Sequence, residues 1–78
     1  MNVLFDNACG KFHICAIERF NGGKISECAV IYRYGAVVLK ELTFPPEKSQ
    51  VAIDIASHIF DAIETYHDYV VCDFADSM

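Results

Sequence analysis

The sequence predicts an α+β domain in which a three-stranded antiparallel meander packs against one amphipathic helix. Apolar residues alternate through residues 12–44 and are interrupted by glycine-containing turns, a pattern typical of antiparallel strands. Pro45 and Pro46 end this pattern, and apolar residues then recur at helical spacing. The predicted order is β-β-β-α-β, with short edge strands at the two ends. A chain of 78 residues is expected to form one domain, residues 1–78.

The first two strands of the meander are predicted over residues 12–20 and 24–34. Apolar side chains alternate along the first strand, and the second is rich in β-branched and aromatic residues. Between them, Asn21, Gly22 and Gly23 tolerate the positive φ angles that a type I′ turn requires. Together these features predict a tight β-hairpin.

Three further strands complete the predicted sheet. A strand is expected over residues 36–44, because Gly35 permits a sharp reversal of the chain. A short N-terminal edge strand is predicted over residues 3–6, before a turn at residues 7–10. After the helix, the valine-rich and aromatic residues 69–74 predict a last strand, followed by a frayed tail.

A helix is predicted over residues 47–67. Proline suits the first turn of a helix, where its missing N–H would be unpaired, and Glu47 lies where the helix dipole favours negative charge. Apolar residues spaced by three and four form one stripe: Ala52, Ile55, Ile59, Ile63 and Tyr66. This stripe is expected to pack on one face of the sheet.

The predicted sheet has apolar residues on both of its faces. Along residues 24–34, one face receives Ile25, Ala29 and Ile31, and the other receives Cys28, Val30, Tyr32 and Tyr34. One helix covers one face, so the other is expected to bind a second copy of the chain or a partner, with Tyr32 and Tyr34 as anchors. Alternatively, the N-terminal segment or the long stems of Arg19 and Lys40 cover this second face.

The net charge of −5 is concentrated in the C-terminal part of the chain. Residues 1–46 contain five basic and four acidic residues, whereas residues 47–78 contain one basic and seven acidic residues. Direct nucleic-acid binding requires basic residues that neutralise phosphates, so the composition disfavours a DNA- or RNA-binding role. A polarised acidic surface instead suits a larger protein with a basic surface.

One side of the predicted helix collects acidic residues. Recurrence every three or four residues places five side chains opposite the apolar stripe: Asp54, His58, Asp61, Glu64 and Asp68. A solvated helix commonly mixes charge signs at these spacings, whereas this one contains like charges, which are mildly destabilising. We therefore interpret this face as an electrostatic recognition surface; the alternative is an ordinary solvated face.

Metal binding and catalysis are alternative interpretations of the same sequence. A structural zinc site would use four residues: Cys9, His13, Cys15 and Cys28. However, the closely paired ligands typical of zinc sites are absent from the sequence. A divalent ion on the helix would use three residues: Asp54, His58 and Asp61.

Nucleophilic catalysis has one close pair of candidates, Cys15 and His13, and the sequence indicates neither an oxyanion hole nor a phosphate-binding loop. We therefore expect a non-enzymatic protein without a cofactor. A structural-metal domain and a small oligomeric enzyme subunit remain the alternatives.

The N-terminal residues do not resemble a secretory signal, and no apolar run approaches the roughly 18 residues of a membrane span. We therefore expect a cytoplasmic protein without membrane contacts, in which the four cysteines are reduced. An exported chain would instead permit two disulfides.

The general type of this chain, short and acidic with one helix on a small sheet, is similar to many small proteins of phages and mobile elements. Many of those proteins block host defence or nucleic-acid enzymes by occupying a functional surface. The similarity implies an inhibitor that binds a basic, nucleic-acid-binding surface, such as an anti-defence (anti-CRISPR-like) factor in the host cytoplasm. It is a likeness of type, and it assigns no target and no residue.

Overall fold

Residues 1–65, the part of the chain that this computed structural model describes, form four antiparallel strands followed by one helix. The strands lie in the order β1-β2-β3-β4 and are β1 (Asn2–Cys9), β2 (Phe12–Asn21), β3 (Lys24–Tyr34) and β4 (Val37–Phe44). A 3₁₀ turn, Pro46–Lys48, leads into helix α1, Ser49–Thr65. The α+β class and the meander of β2, β3 and β4 are therefore confirmed.

The hairpin between β2 and β3 has the tight turn that the sequence predicts. Asn21 pairs with Lys24 across the two strands, so the loop contains only Gly22 and Gly23. Their φ angles are 61° and 80°, in the left-handed region that a type I′ turn requires at both positions.

The first strand is longer than predicted. β1 pairs with β2 from Asn2 opposite Glu18 to Cys9 opposite Phe12, with one irregularity near Val3. The predicted turn at residues 7–10 is therefore wrong, since the chain reverses after Cys9. β1 is an edge strand of the described sheet, and an edge strand accommodates exposed polar residues that interrupt the apolar alternation used for the prediction.

The helix begins two residues later than predicted. Residues 46–48 form the 3₁₀ turn instead, in which the amide of Lys48 donates to the carbonyl of Pro45 at 3.0 Å. A 3₁₀ turn is common at a helix N-terminus. The predicted helix end at residue 67, the last strand over residues 69–74 and the tail lie outside the described residues.

The core lies between α1 and one face of the sheet, which we call the helix-covered face. Its buried residues come from two strands and the helix: Phe12, Ile14, Ala16, Cys28, Val30, Ala52, Ala56 and Ile63. At its border, the rings of Phe5 and Phe60 meet edge to face with centroids 6.4 Å apart. The opposite side of the sheet, the open face, carries His13, Cys15 and Ile17, which alternate with core residues along β2.

Tyr32 and Tyr34 lie on the helix-covered face, which corrects their predicted place on the second face. Tyr32 is paired with Ile14, and residues directly opposite in an antiparallel pair share a face. Both tyrosines are half-buried and pack against the core. The ring centroids of Tyr34 and Phe12 are 5.0 Å apart. The helix therefore covers the face that carries Cys28, Val30, Tyr32 and Tyr34.

Within residues 1–65, no helix combines the length and the apolar character needed to cross a membrane.

Candidate functional site

The first candidate surface is the acidic helix face, which we define as the exposed side chains Asp54, His58, Asp61 and Glu64. All four project from α1, while Ala52, Ala56 and Ile63 of the same helix are buried against the sheet. This arrangement matches the predicted amphipathic pattern for these four residues. Asp68, the fifth predicted member, lies outside the described residues.

Hydrogen bonds along α1 orient part of the acidic helix face. Gln50 Nε2 donates to Asp54 Oδ1 at 3.0 Å, and His58 Nδ1 lies 2.7 Å from the carbonyl oxygen of Asp54, to which it donates. Both pairs are spaced by four residues, so they lie one turn apart on the helix. The bonds hold Asp54 and His58 in place and leave the Asp54 carboxylate exposed.

No cation neutralises the acidic helix face within the described residues. The sequence of α1 contains neither lysine nor arginine. The ion pairs present in residues 1–65 all join strands: Asp6 with His13, and Arg19 with both Glu27 and Glu41. The carboxylates of α1 therefore present an uncompensated negative field to solvent.

The predicted metal ligands do not converge. Residues 1–65 contain no group of three or more His, Cys, Asp or Glu side chains arranged to hold a metal ion. Cys9 and Cys28 pack with the helix-covered face, whereas His13 and Cys15 lie on the open face. The four candidates for zinc are therefore separated by the sheet, because residues of opposite parity along a strand point to opposite sides.

The second candidate surface is a pocket of about 280 Å³ on the open face, which we call the open-face pocket. Eight residues from the N-terminus and the first three strands line it: Met1, Val3, Asp6, His13, Cys15, Ile17, Ile31 and Arg33. The lining combines apolar side chains with a carboxylate, an imidazole, a thiol and a guanidinium. Such a mixture of apolar walls and few polar groups is typical of small-ligand sites.

His13 is the central polar group of the open-face pocket. Its Nε2 contacts the Oδ1 of Asp6, and its Nδ1 is buried without a hydrogen-bond partner among the described residues. Buried polar atoms are usually paired, and an orphan of this kind calls for an explanation. The contact between Nε2 and Asp6 fixes the orientation of the imidazole ring, so Nδ1 points away from Asp6.

Cys15 lies in the same pocket but has none of the features of an activated nucleophile. Burial raises the pKa of its thiol, the charge of Asp6 raises it further, and Arg33 acts in the opposite direction. The thiol makes no hydrogen bond with the orphan Nδ1 of His13. Nucleophilic catalysis uses a thiolate or a thiol paired with a base, so this geometry gives no support to a cysteine nucleophile.

No protein-family model, curated protein or solved structure matches this chain. The acidic helix face and the open-face pocket are therefore interpreted from their own geometry and charge.

Helical spacing predicts that Asp54, His58, Asp61 and Glu64 are exposed, as they are in the structure, but the sequence does not predict the open-face pocket. The sequence predicts Asp6 in a short edge strand but does not predict the register of that strand, so it does not link Asp6 to His13. The register puts Asp6 opposite Cys15, and His13 opposite Arg33, which brings all four residues together. Tyr32 and Tyr34 lie away from this pocket, and the ammonium of Lys11 lies 5.8 Å from the centre of the Tyr34 ring.

Proposed function

We propose that this chain is a non-enzymatic protein-binding module whose acidic helix face occupies a basic surface on a larger protein. The observation that carries the proposal is the exposure of Asp54, Asp61 and Glu64 on a helix without lysine or arginine. Within residues 1–65, none of these three carboxylates is ion-paired. Association with lysines and arginines of a partner would relieve the repulsion among them.

The spacing of these carboxylates suits a partner surface that normally holds phosphates. Asp54 and Asp61 are seven residues apart, which is about 10 Å along a helix axis. Glu64 follows one turn later. Basic groups arranged to bind a nucleic-acid backbone can pair with a row of carboxylates, because both ligands are anionic oxygens.

A protein that blocks such a surface acts as an inhibitor without chemistry of its own. We assign the chain this role, in the manner of an anti-defence (anti-CRISPR-like) factor that competes with nucleic acid for its target. The support comes from the charge of α1 and from its firm packing, since the opposite side of the helix is anchored in the core. A rigid charged face loses little conformational entropy when it binds a partner.

The proposal is tested by capture experiments with charge variants. The wild-type chain, Asp54→Lys/Asp61→Lys and the control Glu47→Lys are immobilised, and proteins retained from a lysate of the source cell or its host are identified by mass spectrometry. Glu47 is also exposed and acidic, but it lies in the 3₁₀ turn before α1. We expect one dominant partner for the wild type and the control, and its loss with the double variant.

Competition with nucleic acid is the second part of the test. Added duplex DNA or RNA should release the captured partner from the wild-type chain, because both would occupy the same basic surface. Equal partner affinity for the wild type and the double variant at low salt would refute the role of the acidic helix face. A partner that binds nucleic acid and the chain together would refute competitive inhibition.

A further inference from the structure

Helix α1 covers only part of the face of the sheet on which it packs. It contacts β1, β2 and β3, whereas its contact with β4, the strand at the far edge of the described sheet, is marginal. The edge-to-face contact between the rings of Phe5 and Phe60 places one flank of α1 over β1. The opposite flank of α1 therefore faces the side of the sheet where β4 lies.

The flank of α1 that faces β4 is apolar and partly exposed. Successive residues of a helix are about 100° apart around its axis, so Val51, Ile55 and Ala62 lie on the side roughly opposite Phe60. Val51 is 40% exposed, Ala62 is also exposed, and Ile55 is half-buried. The helix thus presents apolar side chains beyond those that it buries against the sheet.

The part of the sheet beside this flank is also apolar. Leu42 and Phe44 of β4 are paired with the core residues Val30 and Cys28, so their side chains lie on the helix-covered face. Both Leu42 and Phe44 are half-buried. We call the strip between them and the apolar flank of α1 the β4 trough; it is lined by Val51, Ile55, Ala62, Leu42 and Phe44.

We propose that the β4 trough binds an amphipathic helix of the larger protein, with apolar side chains in the trough and lysine or arginine beside the acidic helix face. This inference rests on the function proposed above and specifies how the partner contacts the chain. Strands lie about 4.8 Å apart, so β4 is about 10 Å from β2, near which α1 is centred. Packed helices have axes about 8–10 Å apart, so a second helix above β4 would contact both α1 and the sheet.

The charge of α1 specifies the charge of the partner helix. Asp54 directly precedes Ile55, and Asp61 directly precedes Ala62, so both carboxylates lie along the border of the trough. Neither carboxylate is ion-paired within residues 1–65. Basic residues on the flank of the partner helix next to α1 would complement them. A second copy of the chain is disfavoured, because its α1 has the same acidic residues and neither lysine nor arginine.

The length of the trough fits a short helix. Val51 and Ala62 are eleven residues apart in the sequence, which corresponds to about 16 Å along the axis of α1. Three turns of a partner helix cover the same distance. Apolar residues spaced by three and four along such a helix form one ridge, which is how amphipathic helices bind in grooves.

The test uses two synthetic peptides of about 14 residues, or four helical turns, made from the same leucine, alanine and lysine residues. In the amphipathic peptide the leucines recur at helical spacing, and in the scrambled peptide they do not, so the two have equal charge. The full ¹⁵N-labelled chain is titrated with each peptide and followed by two-dimensional NMR. We expect the amphipathic peptide to shift the amide signals of Leu42, Ile55 and Ala62 in a saturable manner. The scrambled peptide should shift only signals of the acidic helix face.

Ala62→Gln and Ser57→Gln are matched variants, because each introduces a glutamine on α1 without a change of charge. Ala62 lines the trough, whereas Ser57 lies on the opposite flank of the helix. Ala62→Gln should lower the affinity for the amphipathic peptide about fivefold, since a polar amide replaces an apolar contact. Ser57→Gln should leave this affinity unchanged, and equal losses in the two variants would overturn the trough.

Failure of this inference can be separated from failure of the proposed function. Equal affinity for the two peptides, with shifts confined to the acidic helix face, would overturn the trough and leave the charged surface in place. Undiminished binding of both peptides to Asp54→Lys/Asp61→Lys would refute the charged surface and the basic flank of the partner helix. Nuclear Overhauser contacts between Leu42 and residues 66–78, or concentration-dependent shifts of the peptide-free chain, would assign the trough to the chain itself or to a second copy, and either would overturn the proposal.

Discussion

The side chain of Cys28 connects strand β3 with the 3₁₀ turn that precedes α1. It is fully buried on β3, and its Sγ lies 3.7 Å from the carbonyl oxygen of Pro46, to which the thiol donates a weak hydrogen bond. Burial raises the pKa of this thiol above its ordinary value of 9.0, and the nearby charges of Glu18 and Glu47 raise it further. The fold therefore favours the neutral thiol over the thiolate.

This preference predicts a loss of stability in alkaline solution. In the unfolded chain the thiol ionises near its ordinary pKa of 9.0, whereas in the folded chain it retains its proton to higher pH. The stabilisation is thus complete below pH 9.0 and declines as the pH rises beyond it. We expect Cys28→Ala to lower the free energy of unfolding by about 1 kcal/mol at neutral pH.

Urea denaturation between neutral and alkaline pH measures this effect. The free energy of unfolding of Cys28→Ala should fall less steeply above pH 9.0 than that of the wild type. Tyrosine and lysine also titrate in this range, so the difference between the two curves isolates the thiol. Parallel curves would show that the Cys28 thiol ionises equally in both states.

At the scale of the elements, the contact between α1 and the sheet depends on small residues. Ala52 and Ala56 are fully buried, which lets the helix lie close to β1, β2 and β3. Ala62 belongs to the same helix but is exposed. The two kinds of alanine provide a matched pair of sites for one substitution.

Ala56→Leu should destabilise the fold, because the larger side chain has no space between the helix and the sheet. Overpacking of a core typically costs about 1–3 kcal/mol. Ala62→Leu should change the free energy of unfolding by less than about 0.5 kcal/mol, as is usual for surface sites. Urea denaturation of the two variants measures the difference, and equal values would contradict the close packing of α1.

The strands and the helix were largely predictable because they depend on local patterns. Alternation and the pair Gly22 and Gly23 specify the hairpin of β2 and β3, and helical spacing specifies most of α1. The length of β1 was not predictable, since polar residues such as Asp6 and Asn7 interrupt its pattern. The face of the sheet that the helix covers was not predictable either, because both faces carry apolar residues and long-range packing decides between them.

The two candidate sites also differ in whether local sequence patterns predict them. The acidic helix face was predictable because one helix supplies all of its residues, at spacings that the sequence displays. The open-face pocket combines residues of three strands, and their proximity depends on the register of β1 with β2 and of β2 with β3. A shift of one residue would move each side chain to the other face, so the pocket could not be inferred without the register.

For the whole molecule, the uneven charge predicts how it would associate with the basic partner proposed above. The excess of acidic residues lies in residues 47–78, whereas residues 1–46 are nearly balanced. Such a distribution orients the approach of a positively charged protein and accelerates association. The association rate constant should therefore fall about tenfold or more between low and physiological salt.

Stopped-flow or surface-binding kinetics with the captured partner measures this dependence. Asp54→Lys/Asp61→Lys should show a weaker dependence on salt than the wild type, because it lacks part of the steering field. Glu47→Lys changes the net charge by half as much as the double variant, so it separates the position of a charge from net charge. If the salt dependence of Glu47→Lys lies midway between those of the wild type and the double variant, net charge alone explains the effect and the acidic helix face has no special role in steering.

The strand β2 contributes to two chemically different environments. Phe12, Ile14 and Ala16 are sealed in the core, while His13, Cys15 and Ile17 between them line a pocket on the other side. A slip of β2 by one residue would exchange the two sets, so the imidazole and the thiol would be buried under the helix and the core side chains would face the other side. The alternation along β2 therefore acts as a check on register, because only one pairing of the sheet keeps these polar groups out of the core.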